Sequence, residues 1–383
     1  MNIESRRGQS HIKGMDGLRA LGVLMVLISH LWPRPGPVYD YFHFGRVGVI
    51  LFFVISGFLV TRSLLDLRHK VTQGCMTRSS AMLTFYYRRV LRIFPLYYLA
   101  LAYLYWIAQD PHVREHVIWL LTYTSNYSFF FDISFGNADH FWTLAIEEQF
   151  YLIIPLFVIA LSIKRSKKWI IALLIAGLII KIFTAYSYLM RGGFYVWNYA
   201  THPLWGSLEG LCLGSLLAYN ASRTAWVGEK RALLSGVILL TGASVYYSIL
   251  GNGINQDLIY TSLSHLCIAA FSLTLVAHVI HNPSGTSVKI LEWGPLRWMG
   301  RISYGIYVIH YIVRPDGSAW VDKYHALFPD IVQPYLLFIL VSTFSIVVAS
   351  LSYIMIERPL MSLKKFYPVS EPNHLKSNIE KVI

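Results

Sequence analysis

Apolar segments separated by short polar stretches recur along the whole chain, and this pattern predicts a bundle of membrane-spanning helices. A transmembrane helix needs about 20 mostly apolar residues. Several segments are shorter than that, so we expect some helices to be tilted, broken or buried inside the bundle. The predicted spans are 16–33, 47–66, 91–108, 143–162, 169–189, 204–219, 232–250, 258–280, 302–314 and 334–356.

An eleventh apolar segment, 116–131, decides the orientation of the others. If it does not span and the N-terminus is cytoplasmic, most of the 33 Lys and Arg residues fall in cytoplasmic loops, as the positive-inside rule requires. If it does span, the basic loop KRSKK at 164–168 moves to the outer side and this asymmetry is lost. We therefore expect about ten helices with both termini in the cytoplasm, and an external segment, 109–142, that folds back at the membrane surface.

The composition supports a polytopic membrane protein. The chain has 383 residues, of which 55% are hydrophobic and 14% charged, whereas soluble domains carry about 25% charged residues. Basic cytoplasmic loops explain the net charge of +13, so nucleic acid is not an expected partner. The three cysteines have neither disulfide nor metal-ligand spacing, and we expect no metal site. We predict an all-α membrane domain over 1–360 and a short polar cytoplasmic tail over 361–383.

The first span carries an arginine and a histidine at opposite ends. Arg19 and His30 are eleven residues apart, which corresponds to about 16 Å of helix, or half the hydrocarbon depth. Ionisable groups at such depth are candidates for function. The alternative is an interfacial histidine that reaches water, and this helix alone gives both interpretations equal weight. The span ends in Trp32-Pro33-Arg34 rather than a small-residue cleavage site, so we expect it to remain as a transmembrane helix.

Two adjacent carboxylates lie in the outer part of the fourth span, in HFWTLAIEEQFYLIIPL. Glu147 and Tyr151 are four residues apart and share a helix face, whereas Glu148 points about 100° away. A buried carboxylate can orient or deprotonate a neighbouring imidazole, and Glu147 falls at a similar predicted depth to His30. The alternative role is a salt bridge that ties helices together.

Arginines mark the cytoplasmic end of the third span, in TFYYRRVLRIFPLYY. Arg89 and Arg92 are three residues apart on one face, and guanidinium groups bind phosphate oxygens in a bidentate manner. Arginines at a helix end also follow from the positive-inside rule and contact lipid phosphates. Spacing alone favours this simpler explanation.

Three other spans contain polar residues whose role the sequence leaves open. Ser56 and Gly57 lie mid-span, where small residues permit close helix packing, although Ser56 could also line a passage. His310 lies in the ninth span, and Glu357 and Arg358 are expected to end the tenth. Core hydrogen bonding and helix termination explain these residues as well as direct chemistry does.

Six strings in a fixed order resemble a known family. They are MDGLRALGVLMVLISH, FFVISGFLV, FYYRRVLRIFPLYY, HFWTLAIEEQFYLIIP, ISYGIYVIH and IERP. In this order they resemble the acyltransferase-three family of integral membrane O-acyltransferases, which includes glycan O-acetyltransferases and antibiotic and Nod-factor acyltransferases. The resemblance covers about 14–360.

The resemblance implies roles for five residues. Arg19 and His30 match the paired residues of the first span, with His30 as the catalytic centre. Arg89 and Arg92 match the arginine pair linked to the acyl-CoA donor, and Glu147, rather than its neighbour, matches the recurrent acidic residue. Some relatives carry a C-terminal SGNH-type domain for which this chain is too short. We therefore expect the acceptor to be handled within the membrane domain or by a partner.

Topology and resemblance together predict a membrane O-acetyltransferase of the bacterial cytoplasmic membrane. Arg89 and Arg92 would bind the phosphates of acetyl-CoA, whose pantetheine arm of about 15–20 Å would thread between helices. His30 would act as a general base on an acceptor hydroxyl, or carry the acyl group, with Glu147 setting its tautomer. Arg19 would bind the donor or stabilise negative charge. The acceptor would be a glycan that arrives from the outer side.

Other functions stay open at this stage. A transporter or flippase of lipid-linked glycans would also be polytopic with buried charges, but the sequence shows no clear inverted repeat. A non-catalytic scaffold would use the buried charges only for packing. An acyltransferase could also modify a small, macrolide-like acceptor. The acyl chain length and the oligomeric state are open.

Overall fold

The computed structural model describes residues 12–32, 44–192, 196–221, 224–238, 254–314, 323 and 332–366. All regular secondary structure within these ranges is helical, which confirms the all-α class. The α-helices are α1 Met15–Leu31, α2 Phe44–Thr72, α3 Arg78–Ala102, α4 Pro111–Glu115, α5 Val117–Leu121, α6 Trp142–Ala160, α7 Ile163–Met190, α8 Val196–Thr201, α9 Leu208–Asn220, α10 Ile254–His281, α11 Thr286–Leu291, α12 Gly294–Arg301, α13 Ser303–Ile309, α14 Gln333–Ser352 and α15 Arg358–Ser362. Shorter helical turns cover Tyr103–Ile107, Ser125–Phe131, Gly136–Phe141, Leu204–Gly206, Ala225–Gly228, Tyr353–Glu357 and Leu363–Phe366.

Six helices in the described ranges are long and apolar enough to cross a membrane. Each matches one of the predicted spans: Phe44–Thr72, Arg78–Ile107, Gly136–Ala160, Ile163–Met190, Thr261–His281 and Tyr335–Ser362. Three other predicted spans form shorter helices, namely α1 with 17 residues, α9 with 13 and α13 with 7. The predicted span 232–250 lies mostly outside the described residues. A total of ten crossings and the cytoplasmic location of both termini therefore stay predictions.

The predicted external segment, 109–142, folds into short helices. Asp110 begins α4, because its Oδ1 accepts hydrogen bonds from the backbone N–H groups of His112 at 3.0 Å and Val113 at 3.3 Å. Its Oδ2 accepts from the backbone N–H of Asn137 at 3.3 Å, which ties the two ends of the segment together. The residues 116–131 form no spanning helix, in agreement with the topology that the basic loops favoured.

Helix α2 is the central helix of the bundle and packs against α1, α6, α9 and α10. A Cβ atom at Gly57 would collide with the backbone carbonyl oxygen of Leu211 on α9. The hydroxyl of Ser215 on α9 donates to the carbonyl of Gly57 at 3.3 Å, and Thr61 donates to Ser215 at 2.9 Å. Close packing of small residues is therefore the role of Gly57.

The chain stays helical beyond α14. It continues through the turn Tyr353–Glu357 into α15, so the expectation that Glu357 and Arg358 end the helix is wrong. Pro359 occupies the first turn of α15, where a missing N–H breaks no helical hydrogen bond. The turns that flank α15 pack against α3, which carries the arginine pair.

Candidate active site

Three arginines and two carboxylates line one narrow cavity of about 90 Å³, here called the arginine cavity. Arg19 comes from α1, Arg89 and Arg92 from α3, and Glu147 and Glu148 from α6. The fold thus brings four of the five predicted site residues together. Guanidinium groups gathered in a water-poor site repel one another, so the cavity favours carboxylates between them or an anionic ligand.

Hydrogen bonds hold Glu147 in this cavity. Its Oε1 accepts from the Ser56 hydroxyl at 3.0 Å, and its Oε2 accepts from the Tyr151 hydroxyl at 2.6 Å. The shared face of Glu147 and Tyr151 is therefore confirmed, and Ser56 lines the cavity as well as the packed interior of α2. The guanidinium carbon of Arg89 lies 4.9 Å from the centre of the Tyr151 ring. In the described part of the chain, Oε1 of Glu148 is buried without a hydrogen-bond partner.

A fourth basic residue lies near the same arginines. Lys364 belongs to the turn Leu363–Phe366, which packs against α3 after the last membrane-length helix. Partial burial of the ammonium group, together with the charges of Arg92 and Arg89, lowers the pKa of Lys364 to about 8. No motif or spacing in the sequence points to this residue.

His30 lines a second and larger cavity of about 320 Å³, here called the histidine cavity. Nδ1 of His30 lies 2.8 Å from Nε2 of His310, which is fully buried. Nδ1 of His310 in turn lies 2.7 Å from the carbonyl oxygen of Tyr307. A carbonyl can only accept, so neutral His310 carries its proton on Nδ1 and accepts from Nδ1–H of His30. In this series of hydrogen bonds, Nε2 of His30 carries no proton and keeps its lone pair.

The predicted external segment, 109–142, supplies one wall of the histidine cavity. Phe129, Asp139 and His140 line it together with Trp142 at the start of α6. Nε2 of His140 lies 3.2 Å from the carbonyl oxygen of Val308, and no described residue bonds its buried Nδ1.

Other aromatic side chains of the segment lie outside the histidine cavity. Together with Trp205 of the turn Leu204–Gly206, they form a separate groove of about 520 Å³, whose other aromatic lining residues are Trp119, Tyr127, Phe130 and Phe131.

The two cavities share a thin wall. Val49, Thr143 and Tyr307 line both of them. The Tyr307 hydroxyl donates to the carbonyl of His140 at 2.8 Å and shares a 2.7 Å hydrogen bond with the hydroxyl of Thr143.

The expected pairing of Glu147 with His30 is not what the fold contains. Glu147 bonds Ser56 and Tyr151 in the arginine cavity, whereas His30 bonds His310 in the histidine cavity. The two side chains lie at similar positions along the bundle axis in the predicted topology, but packing separates them by the shared wall. His310, whose role the sequence left open, is the residue that sets the tautomer of His30.

The structure also joins three ionisable residues that the sequence analysis did not single out. Nζ of Lys181 lies 2.6 Å and Nδ1 of His265 lies 2.8 Å from the same oxygen, Oε1 of Glu209. All three side chains are at most 4% exposed, and His265 lines the histidine cavity. Each residue falls inside a predicted span, so the rule that flags ionisable groups in membranes would have identified all three.

Comparison with known proteins identifies relatives over nearly the whole chain. Residues 12–355 match the acyltransferase-three family, described as an acyltransferase domain. The chain is 28% identical over 333 residues to the peptidoglycan O-acetyltransferase OatA of Listeria monocytogenes, which covers 81% of this chain and 50% of that protein. It is 27% identical over 381 residues to the O-acetyltransferase OatA of Staphylococcus aureus, which covers 94% of this chain and 58% of that protein. The chain thus spans about half the length of these relatives. No solved structure matches it.

Proposed function

The chain belongs to the acyltransferase-three family, and on this basis we propose that it is a membrane O-acetyltransferase of the bacterial cytoplasmic membrane. It would transfer the acetyl group of cytoplasmic acetyl-CoA to a hydroxyl group of a glycan at the outer side. The observation that carries this proposal is the wall of Val49, Thr143 and Tyr307, which separates an arginine-lined cavity from a histidine-lined one. The names of the relatives support a glycan acceptor such as peptidoglycan.

The arginine cavity suits the donor. Acetyl-CoA combines anionic phosphates with a long, thin pantetheine arm that ends in the thioester. Arg89 and Arg92 offer charge-assisted hydrogen bonds to phosphate oxygens, and Arg19 adds a third guanidinium group. A volume of about 90 Å³ has room for the acetyl thioester end of the arm but not for the nucleotide, which would stay at the cytoplasmic mouth. Glu147 would balance the arginines and position Ser56 and Tyr151 around the arm.

The histidine cavity suits the chemistry of transfer. With Nδ1–H donated to His310, Nε2 of His30 is a neutral nitrogen with a free lone pair. That nitrogen can remove the proton of an acceptor hydroxyl, which then attacks the thioester, and can return the proton to the thiolate of CoA. It can instead attack the thioester itself and form an acetyl-imidazole, which the hydroxyl then cleaves. Both routes convert acetyl-CoA and an alcohol into an ester and CoA thiol.

The walls of the histidine cavity suit a sugar. Phe129, Trp142, Trp197 and Tyr311 line it and present apolar ring surfaces next to polar groups. This combination of ring faces and hydrogen-bonding groups is what a pyranose requires, since one side of the ring is made of C–H groups and its edge of hydroxyls.

The test is acetyl transfer by the purified protein in lipid vesicles. Radiolabelled acetyl-CoA is supplied on one side and solubilised peptidoglycan glycan strands on the other, and ester-linked label in the glycan is measured. We expect transfer by the wild type and a loss of at least about 100-fold in His30→Asn, because a general base or nucleophile contributes that much or more.

A matched control is His278→Asn, because His278 bonds Gly228 and Ser287 and is absent from the lining of both cavities. It should transfer at the wild-type rate. Wild-type protein that binds glycan but releases no CoA thiol from acetyl-CoA would overturn the proposal in favour of transport. Normal transfer by His30→Asn would remove His30 from the mechanism.

A further inference from the structure

The proposed transfer chemistry assigns no role to the buried cluster of Lys181, Glu209 and His265. They belong to α7, α9 and α10 and meet at a single carboxylate oxygen. Removing a carboxylate and an ammonium group from water is costly, and an apolar trio would bind three helices together at least as well. The second oxygen of Glu209 is buried and has no hydrogen-bond partner in the ranges described. A purely structural role therefore explains the cluster poorly.

We propose that His265 is a second base of the histidine cavity, which removes the proton of the acceptor hydroxyl after His30 has accepted the acetyl group. Glu209 orients His265 and stabilises its protonated form, and Lys181 holds the carboxylate in place. This inference rests on the proposed O-acetyltransferase function and selects the route through an acetylated His30.

The hydrogen-bond partners of His30 and His265 differ, and this difference suits the two histidines to different steps of the reaction. The hydrogen-bond chain of His30 runs to neutral His310 and ends on a backbone carbonyl, so it contains no carboxylate to stabilise an imidazolium ion. Such a ring is suited to attack as a neutral nucleophile. His265 instead donates Nδ1–H to the Glu209 carboxylate, the arrangement that orients and stabilises the imidazolium of a general base.

The chemistry of an acetylated His30 requires such a second base. In the first step, the bond from Nε2 of His30 to the acetyl carbon forms and the carbon–sulfur bond breaks. The sulfur takes the electron pair and leaves as CoA thiolate, which takes a proton from water, and the acetyl-imidazolium keeps Nδ1–H in its hydrogen bond to His310. In the second step, the acceptor oxygen attacks the acetyl carbon and the carbon–nitrogen bond breaks. His30 leaves as a neutral imidazole with Nδ1–H still in place, and the hydroxyl proton passes to Nε2 of His265, which later releases it to water, so both residues are restored.

Geometry favours His265 over His140 for this step. His265 lines the same cavity as His30, and because Glu209 occupies its Nδ1, its Nε2 is the nitrogen left for a substrate. Its ring lies 5.4 Å from the ring of Trp197, over which the guanidinium carbon of Arg46 lies at 3.6 Å. No described carboxylate forms a hydrogen bond or ion pair with His140, and its Nε2–H is donated to the carbonyl of Val308.

The experiment separates the two half-reactions in the full-length protein reconstituted in lipid vesicles. Acetyl-CoA labelled in the acetyl group is mixed with the protein, and CoA thiol release and protein-bound label are measured after rapid quenching, with and without peptidoglycan glycan strands. In His265→Asn we expect one equivalent of label on His30, undiminished by the glycan, and a loss of ester formation of about 100-fold or more. The acetylated peptide identifies His30 by mass spectrometry.

Glu209→Gln is the second variant, because its amide keeps the size of the side chain and a carbonyl oxygen for His265. We expect protein-bound label to accumulate here too, with kcat lowered about 10–100-fold, an unchanged KM for glycan, and the acidic limb of the kcat–pH profile displaced. The control His278→Asn should not accumulate label.

Each outcome of this experiment either supports or contradicts the assignment of His265. Two results overturn the assignment of His265. The first is ester formation at the wild-type rate in His265→Asn. The second is loss of CoA thiol release in His265→Asn while Glu209→Gln forms ester at the wild-type rate. Absence of acetyl transfer by the wild type instead refutes the proposed function itself.

Discussion

The imidazole of His30 is hydrogen-bonded to the imidazole of His310, with 2.8 Å between Nδ1 of the first and Nε2 of the second, across 280 residues of sequence. His310 is fully buried, and the carbonyl of Tyr307 holds its other nitrogen. The tautomer of neutral His30 is therefore set by His310, which directly follows α13, and no carboxylate takes part in this series of hydrogen bonds.

Replacement of His310 should impair chemistry and spare donor binding. His310→Ala leaves Nδ1–H of His30 without an acceptor, so the ring can rotate or change tautomer. We expect kcat to fall about 10–100-fold, the usual effect of losing such a supporting hydrogen bond, with an unchanged KM for acetyl-CoA. Steady-state kinetics with labelled acetyl-CoA measure both constants. His310→Gln, whose amide oxygen can accept the same bond, should recover part of the rate, and equal rates for both variants would contradict this role.

The arginine pair should act on donor affinity. Arg89→Ala or Arg92→Ala removes a charge-assisted hydrogen bond, which is worth about 1.5–3 kcal/mol and corresponds to about a 10–150-fold increase in the KM for acetyl-CoA. The adjacent Arg88→Ala is the matched control, because Arg88 is absent from the lining of the arginine cavity. A similar increase in all three variants would mean that only the general positive charge of this helix end matters.

The affinity for acetyl-CoA should depend on pH through the protonation state of Lys364. Its folded pKa of about 8 lies below the ordinary value for lysine because burial and the neighbouring arginines disfavour the charged form. Lys364 therefore carries a positive charge below pH 8 and loses it above, and we expect the affinity for acetyl-CoA to fall as the pH rises through about 8. Isothermal titration across this range measures the change. Lys364→Met should bind more weakly at neutral pH and lose this pH dependence, and an unchanged profile would exclude Lys364 from donor binding.

Gly57 should be intolerant of any side chain. In Gly57→Ala the new methyl group meets the carbonyl of Leu211, so α2 and α9 must move apart. We expect a loss of about 1–3 kcal/mol in stability, measured as a lower thermal unfolding midpoint in detergent. Gly294→Ala is the control, since a Cβ there meets open space. Equal midpoints for the two variants would show that the α2–α9 contact can relax.

The sequence by itself determined the helical class and identified four of the residues that line the arginine cavity, Arg19, Arg89, Arg92 and Glu147, although not that they meet there. Apolar runs and basic loops are local properties, and the helical repeat alone predicts that Arg89 and Arg92, or Glu147 and Tyr151, share a face. The repulsion between neighbouring like charges and the positive-inside rule also depend only on the residues at each helix end. These features therefore needed no knowledge of which helices touch, and the family motifs followed from the same short strings.

Only the tertiary structure decided the partners across helices. Periodicity gives the face on which a side chain lies, but the packing of whole side-chain surfaces decides which faces meet. For that reason the sequence predicts a pairing of Glu147 with His30, whereas in the structure the wall at Thr143 and Tyr307 separates them and His310 bonds His30 instead. The same holds for the Lys181–Glu209–His265 cluster, in which three helices far apart in sequence each supply one residue to a single hydrogen-bonded centre.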